Sequence, residues 1–573
     1  MAVLQPLIDL VALCAAQGIR HAVISPGSRS AALTLAFARN PHIQTHVVMD
    51  ERAAGFIALG IAQQVKAPVA IVCTSGSAAY NFAPAVVEAY FQQVPLLVLT
   101  ADRPKEWIHQ QDGQTIYQNE IYGKHVKRSY ELPADYSHAD ARWYINRTVN
   151  EAILASMAFP PGPTHINVPI REPFYPEADE RFIPSADLRI VTRLHAEATL
   201  SVETWHELLN EWDESERILI AGGQHAADED LNRVLSHIAE ELHVPVLGDV
   251  ITNLQGNDWL ITKQDLFLGQ SLDEDLRPDL LITFGKSFIS KNLKLFLRAN
   301  PPLRHWHISE EQNLIDTFQT LTTHVPVAPG YFFPKLFEDI DYQRFVQNQD
   351  GETDDAYAEK WLWMNRKSTR LLMEYLRLQT ELNELTVFEK TLSTLPEGCQ
   401  LHVANSMPIR YVNMLGLEGK SIEVFANRGT SGIDGCVSTA VGAALTNRVP
   451  TYLIVGDVAF LYDRNGLLLE ELPANLRIIV MNNSGGNIFR MIDGPARQPE
   501  LEQYFETRHA MTAERTAADS NILYRGVWAL EELAEALQQL VDSEQCAMLE
   551  VFTDPETNTR IFKGLKEYIR SNW

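Results

Sequence analysis

The chain has 573 residues, of which 48 are Lys or Arg and 74 are Asp or Glu, giving a formal net charge of −26 at pH 7. That balance argues against a nucleic-acid or anionic-membrane partner, both of which need a basic footprint, but it leaves room for an anionic small molecule in a local basic pocket. Hydrophobic residues at 46% and charged residues at 21% are ordinary globular composition, and a chain this long buries its core without disulfide staples.

Met1 to Arg20 is an amphipathic stretch interrupted by Gln5, Asp9 and Gln17, with no basic n-region and no clear cleavage site, so no signal peptide is expected. No apolar run approaches the ~18 residues of a membrane span. Cys14, Cys73, Cys399, Cys436 and Cys546 are scattered without CxxC spacing and read as reduced thiols of a cytoplasmic protein. Short apolar runs then alternate with helical periods. His21–Ser25, His46–Met49, Val69–Cys73, Leu96–Thr100 and His165–Val168 read as strands, with helical patterns at Glu51–Gln64 and Ala78–Phe91 between them. The pattern restarts at Arg217–Ala221, with strands at Val244–Leu247 and Leu280–Phe284. It restarts again at Leu401–Ala404, followed by Glu423–Ala426, Thr451–Val455, Arg477–Met481 and Met548–Phe552. Glu172–Asp187, with three prolines, and the acidic Asn348–Asp355 read as linkers. The expectation is an α/β protein of three domains, 1–180, 188–345 and 356–573, each a mainly parallel sheet flanked by helices.

Several motifs fail. Gly285-Lys286-Ser287 resembles the end of a phosphate loop, but Leu280 stands where the upstream glycine is required. No GxGxxG follows a strand, so neither a dinucleotide nor a flavin is expected in the middle domain. His305 and His307 alternate on a probable strand and read as structural residues. The third domain is more informative. Thr451–Val455 runs into Gly456-Asp457, and Arg477–Met481 runs into Asn482-Asn483-Ser484-Gly485-Gly486. Both turns lie at carboxyl ends of strands, the edge where open α/β sheets bind ligands. A carboxylate, an amide oxygen and a free carbonyl are hard donors suited to Mg²⁺, and the glycines let backbone approach a diphosphate. Either turn alone reads as an ordinary loop; together they favour a metal–diphosphate site.

Gly456-Asp457 followed by Asn482-Asn483 resembles the thiamine diphosphate signature, with Val458 where a glycine is usual. Four further strings carry the resemblance: Ser25-Pro26-Gly27-Ser28-Arg29-Ser30, Thr100-Ala101-Asp102-Arg103-Pro104, Gly162-Pro163-Thr164-His165-Ile166-Asn167-Val168-Pro169, and Asn427-Arg428-Gly429-Thr430-Ser431-Gly432-Ile433-Asp434-Gly435. Together they are similar to the SEPHCHC synthase family of menaquinone biosynthesis (SEPHCHC, 2-succinyl-5-enolpyruvyl-6-hydroxy-3-cyclohexene-1-carboxylate). The match is strong in the first and third domains and weak in the middle one, where a Rossmann-like unit is implied.

The resemblance implies decarboxylative addition of 2-oxoglutarate to isochorismate, with thiamine diphosphate and Mg²⁺, or Mn²⁺ in its place. It implies a homodimer or homotetramer with sites at the subunit interface. Residue by residue, Glu51 acts on the aminopyrimidine ring. Ser28 and Arg29 lie beside the substrate, and Gln114 bonds the reacting species. Asp457, Asn483 and the Gly485 carbonyl are the implied metal ligands. Asn405, Gly456, Val458, Gly486, Asn487 and Ile488 line the cofactor, and Ile433 wedges under it. Both substrates are dicarboxylates, which suits the planar fork of arginine: Arg103, Arg410 and Arg428 are implied for substrate, with Lys291, Ser406, Phe489 and Ile492. Asn292 stands where some members have a second positive charge. His109 is the one acid–base histidine candidate, and a solvated loop histidine is the plainer reading. Two alternatives stay open: another thiamine-dependent 2-keto acid decarboxylase or carboligase, and a non-catalytic thiamine-binding homologue.

Overall fold

The computed structural model describes residues 4–172, 174–176, 181–254, 256, 259–268, 274–347, 356–417, 419–491 and 494–573. Among the described residues, eighteen strands form three six-stranded sheets, and every strand pairing is parallel. The first sheet comprises β1 (His21–Ile24), β2 (Gln44–Val47), β3 (Val69–Cys73), β4 (Leu96–Asp102), β5 (Ser129–Glu131) and β6 (Thr164–Pro169), in the order β2-β1-β3-β4-β6-β5. The middle sheet comprises β7 (Ile218–Gly222), β8 (Val246–Gly248), β9 (Leu260–Ile261), β10 (Leu280–Phe284), β11 (Arg304–Ile308) and β12 (Thr323–Val325), in the order β12-β11-β10-β7-β8-β9. Its chain reverses direction of growth between β7 and β10, as in a Rossmann sheet. The third sheet comprises β13 (Gln400–Val403), β14 (Glu423–Phe425), β15 (Thr451–Gly456), β16 (Leu476–Asn482), β17 (Leu523–Val527) and β18 (Ala547–Phe552), in the order β14-β13-β15-β16-β18-β17. That is the first sheet's order over again, so the outer two sheets are topological copies. Helices flank each sheet, and the fold is of the α/β class.

The strands expected from apolar runs are present. β2 starts and ends two residues earlier than expected, because it is an edge strand in which only His46 is buried and whose sequence lacks a continuous apolar run. β5, β9, β12 and β17 carried no sequence signal for the same reason: each is a short edge strand. The helix expected over Ala78–Phe91 is two helices, Ser77–Asn81 and Ala83–Gln92, meeting at Phe82. Pro84 has no N–H to donate to the preceding turn and starts the second helix.

The first and third sheets share one core. The helix Glu51–Val65 is buried at every position from Ala53 to Ala62, and the helix Cys436–Thr446 at every position from Cys436 to Ala444. A helix apolar on all sides must be covered on all sides, and these two cover each other. A Cβ on Gly60 would stand 2.0 Å from the Thr439 carbonyl oxygen, and one on Gly442 would stand 2.0 Å from that of Ile57. Only glycine lets the two backbones touch here. The five cysteines are free and buried. Among the described residues, no helix is long and apolar enough to cross a membrane.

Candidate active site

At the carboxyl edge of the third sheet, β15 passes directly into the helix Asp457–Asp463. Asp457 is buried, with Oδ1 accepting the Val458 N–H at 2.7 Å and Oδ2 accepting the Gly485 N–H at 2.9 Å. Val458 lies in the helix, so its position does not need the glycine usual there. His509 Nε2 stands 3.4 Å from Asp457 Oδ2, and that carboxylate raises the imidazole pKa. Asn483, on the neighbouring turn, donates its Nδ2 to Glu384 Oε1 at 2.6 Å. Its Oδ1 is buried without a partner. A buried amide oxygen left unpaired costs free energy, and a cation beside Asp457 satisfies it. The donors present therefore fit Mg²⁺: a carboxylate, an orphaned amide oxygen and the Gly485 backbone. Gly485 is pressed against the chain, since a Cβ there would lie 2.7 Å from the Glu506 carbonyl oxygen, and the Gly486 N–H bonds that same oxygen at 2.7 Å.

Sequence reasoning missed Glu384, His509 and Glu506, which lie far from the motifs in sequence. Glu384 is 2% exposed. Burial pushes its pKa up to about 7 against the Asn483 hydrogen bond, and the Asp457 carboxylate adds to the rise.

A second group gathers at the ends of β13 and β14. Asn405 Nδ2 donates to the carbonyls of Asn427 (2.6 Å) and Gly432 (2.7 Å), and its Oδ1 accepts Arg428 NH1 at 2.9 Å. The Arg428 Nε is buried with no partner. Burial, with the nearby Arg410 guanidinium, pulls Arg428 below its usual pKa. Two guanidiniums close enough for Arg410 to depress the charge of Arg428, whose buried Nε is orphaned, suit a carboxylate ligand. Ser406 has φ 76° and ψ −128°, a conformation that costs a non-glycine residue energy and clusters at functional sites. Its carbonyl accepts Arg410 NH1. The loop carrying Arg428 is held from the first domain. Glu88, 1% exposed, accepts the N–H groups of Gly429 (2.8 Å) and Thr430 (2.6 Å), the Thr430 hydroxyl and the Gln92 amide. Glu88 is also a residue the motifs did not reveal.

The first sheet's carboxyl edge holds the other expected residues. Glu51 opens its helix, where Asp50 caps by accepting the N–H groups of Arg52 and Ala53, and Glu51 Oε2 accepts Asn81 Nδ2 at 3.2 Å. Arg29 is buried, lies 4.4 Å over the Phe174 ring and donates to the Ile170 carbonyl; Ser28 beside it is exposed. Arg103 donates Nε and NH2 to the Gly113 carbonyl and pairs with Asp112 at 3.0 Å, so here it pins the loop that presents the exposed Gln114. Gln118 closes that loop from below, bonding the Gly76 N–H, the Ala101 carbonyl and Asn167. His109 is exposed and bonds Tyr117. Lys291 is exposed at the start of its helix, and Asn292 is occupied with Asp265. Ile433, Ile488 and Phe489 are half-buried; Ile492 lies outside the described residues. His305 and His307 both bond Thr283 in the middle sheet, and burial lowers the pKa of each.

Glu51 and the Asp457–Asn483 pair follow strands of different sheets. Asp50 accepts Asn465 Nδ2 at 2.8 Å and Arg52 lies over Tyr462, so Glu51 sits toward the far end of the helix that Asp457 begins. Among the described residues, no hydrogen bond or ion pair joins Glu51 to Asp457, Asn483 or Gly485. A separate cavity of about 690 Å³ lies at the carboxyl edge of the middle sheet, lined by Gln224, Lys286 and Ser309 among others. It holds none of the thiamine-signature or implied site residues, so this chemistry is not built there.

Residues 9–125 match the family described as thiamine pyrophosphate enzyme, N-terminal TPP binding domain, and residues 191–403 match the middle domain of thiamine pyrophosphate. The chain is 41% identical, over 100% of both chains, to the 2-succinyl-5-enolpyruvyl-6-hydroxy-3-cyclohexene-1-carboxylate synthase of Cytophaga hutchinsonii. It is 37% identical to the synthase of the same name from Flavobacterium johnsoniae over 98% of each chain. With that of Porphyromonas gingivalis the identity is 36% over 96% of this chain and 95% of the relative. The chain belongs to the SEPHCHC synthase family. Like the family, it is a thiamine diphosphate-dependent enzyme that forms carbon–carbon bonds and acts on small molecules.

Proposed function

We propose that this SEPHCHC synthase family member joins 2-oxoglutarate to isochorismate with loss of carbon dioxide, using Mg²⁺, or Mn²⁺ in its place, beside thiamine diphosphate. What carries the reading is the orphaned Asn483 Oδ1 beside Asp457, in a chain that matches the SEPHCHC synthases along its whole length. Thiamine diphosphate, when bound, supplies the electron sink for the pair released on decarboxylation. Asp457, Asn483 and Gly485 hold the metal, with Gly456, Val458, Gly486 and Asn487 around the diphosphate. Glu51 holds the proton shared with the aminopyrimidine nitrogen. Arg428 and Arg410, with Lys291 and Ser406, bind substrate carboxylates bidentately or as point charges. Ser28, Arg29 and Gln114 close the site from the first sheet. Arg103 acts through the loop it pins. Ile433, Ile488 and Phe489 wall the site against water, so the carbon left by decarboxylation meets isochorismate before it meets a proton.

Glu51 and the proposed metal ligands follow strands of two different sheets, and we read the site as completed by a second copy. The working assembly is a homodimer, or a homotetramer built from dimers. The segments 1–180, 188–345 and 356–573 are read as pyrimidine-binding, central and diphosphate-binding domains. Five free, buried cysteines fit the reducing cytoplasm.

The test is product formation by purified protein, followed by mass spectrometry, with 2-oxoglutarate, isochorismate, thiamine diphosphate and Mg²⁺ omitted in turn. Every omission abolishes the condensation product; product without thiamine diphosphate contradicts the reading.

A further inference from the structure

Asn483 poses an orientation problem. Its amide oxygen and nitrogen are nearly equal in size, and only one of the two orientations offers oxygen to a cation. Glu384 sits directly behind it. Glu384 is the first residue of the helix Glu384–Thr394. Asn383 caps that helix by accepting the Thr386 N–H, and the Glu384 N–H is tied to Asn558 Oδ1 at 2.9 Å. The side chain is thereby fixed, with Oε1 accepting Asn483 Nδ2 at 2.6 Å. Glu384 is an expensive residue to keep. It is 2% exposed, Asp457 is a second carboxylate nearby, and among the described residues its neighbours besides Asn483 include the buried Tyr411 hydroxyl but no cationic side chain that pairs with it. A buried carboxylate of this kind costs stability, so its presence asks for a function.

We propose that Glu384 is a positioning residue for the metal: by accepting the Asn483 amide N–H it fixes that side chain with Oδ1 turned toward the cation. The inference rests on the metal site proposed above and deepens it. The structure turns the Asn483 NH₂ group onto Glu384 Oε1, and with the nitrogen held there the amide oxygen faces away from Glu384. Partners behind metal ligands orient them in this manner, and their loss typically lowers metal affinity about 10- to 100-fold.

The experiment compares wild type, Glu384→Met and Glu384→Gln. Mg²⁺ is titrated into each protein at saturating thiamine diphosphate and followed by intrinsic tryptophan fluorescence, and urea unfolding is measured on the metal-free proteins. Glu384→Met replaces the carboxylate with an apolar chain of similar size. It raises the Mg²⁺ dissociation constant at least about 10-fold, while its urea midpoint equals or exceeds that of wild type. Glu384→Gln keeps an acceptor oxygen and retains most of the affinity. A merely structural residue would instead lose stability and affinity together, and that outcome overturns the inference. Unchanged Mg²⁺ affinity in Glu384→Met overturns it as well. Equal loss in Met and Gln overturns it too, since charge and not amide orientation would then be at work. If wild type itself binds no Mg²⁺ with thiamine diphosphate, the functional reading falls along with it.

Discussion

Replacing Glu88 with alanine removes one acceptor from four donors at once. The Thr430 hydroxyl and the Gln92 amide can turn to other partners, but the backbone N–H groups of Gly429 and Thr430, at 2.8 and 2.6 Å from the carboxylate, cannot. A fully buried donor left unpaired costs about 1–3 kcal/mol, and here Gly429 is half-buried and Thr430 exposed, so water recovers part of that. Relief from burying a carboxylate that is 1% exposed offsets part of this. The net loss expected for Glu88→Ala is about 1–2 kcal/mol, read from urea unfolding. Arg428 sits next to Gly429 in the same loop, so its guanidinium loses its fixed position. Steady-state kinetics should then show an apparent KM for the substrate it binds raised about tenfold, with kcat changed less. An unchanged urea midpoint together with an unchanged KM would refute the reasoning that this carboxylate holds the substrate loop in place.

Three further outcomes follow from the same structure. Gly60→Ala places a Cβ 2.0 Å from the Thr439 carbonyl oxygen, forcing two packed helices apart at a cost of at least about 2 kcal/mol in urea unfolding; wild-type stability would contradict the crossing. Asp463 is fully buried and accepts both the N–H and the hydroxyl of Ser438, and burial pushes its pKa from 3.8 up to about 7. Between those values the folded chain holds a proton that the unfolded chain has lost, so stability falls as pH rises through that window, by up to ~1.4 kcal/mol per unit. Asp463→Asn removes that slope, and equal pH slopes for the two proteins would show the reasoning to be wrong. Finally, Glu51→Gln and Asp457→Ala subunits, each inactive alone, regain about a quarter of wild-type activity when unfolded and refolded as a mixture, because mixed dimers carry one native site; no recovery would place the site within a single chain.

The sequence made the interior strands legible because strands buried on both faces are written as unbroken apolar runs, as in Val69–Cys73 and Leu280–Phe284. Edge strands such as Ser129–Glu131 bury only part of their surface and left no such run. The turns proposed to hold the metal were legible because Asp457 and Asn483 each follow a strand, and a strand's carboxyl end fixes where its next residues go. Glu384, Glu88 and His509 were not. Glu384 meets Asn483 across 99 positions and Glu88 meets Gly429 across 341, so only the folded chain brings them together. Arg29 and Arg103 were visible as arginines after strands, but not their local attachments: Phe174 and Ile170 for one, Asp112 and Gly113 for the other. A motif reports residue type and place, while the direction of a guanidinium is set by neighbours it does not contain.

The most direct test of the account is the stoichiometry between carbon dioxide released and isochorismate consumed, measured on the purified enzyme with 2-oxoglutarate, thiamine diphosphate and Mg²⁺, and repeated with Glu51→Gln. The account predicts equal amounts in the wild type, and in Glu51→Gln both rates reduced together by at least about 100-fold. Carbon dioxide released while isochorismate remains untouched would contradict it, marking a decarboxylase whose acceptor is a different molecule.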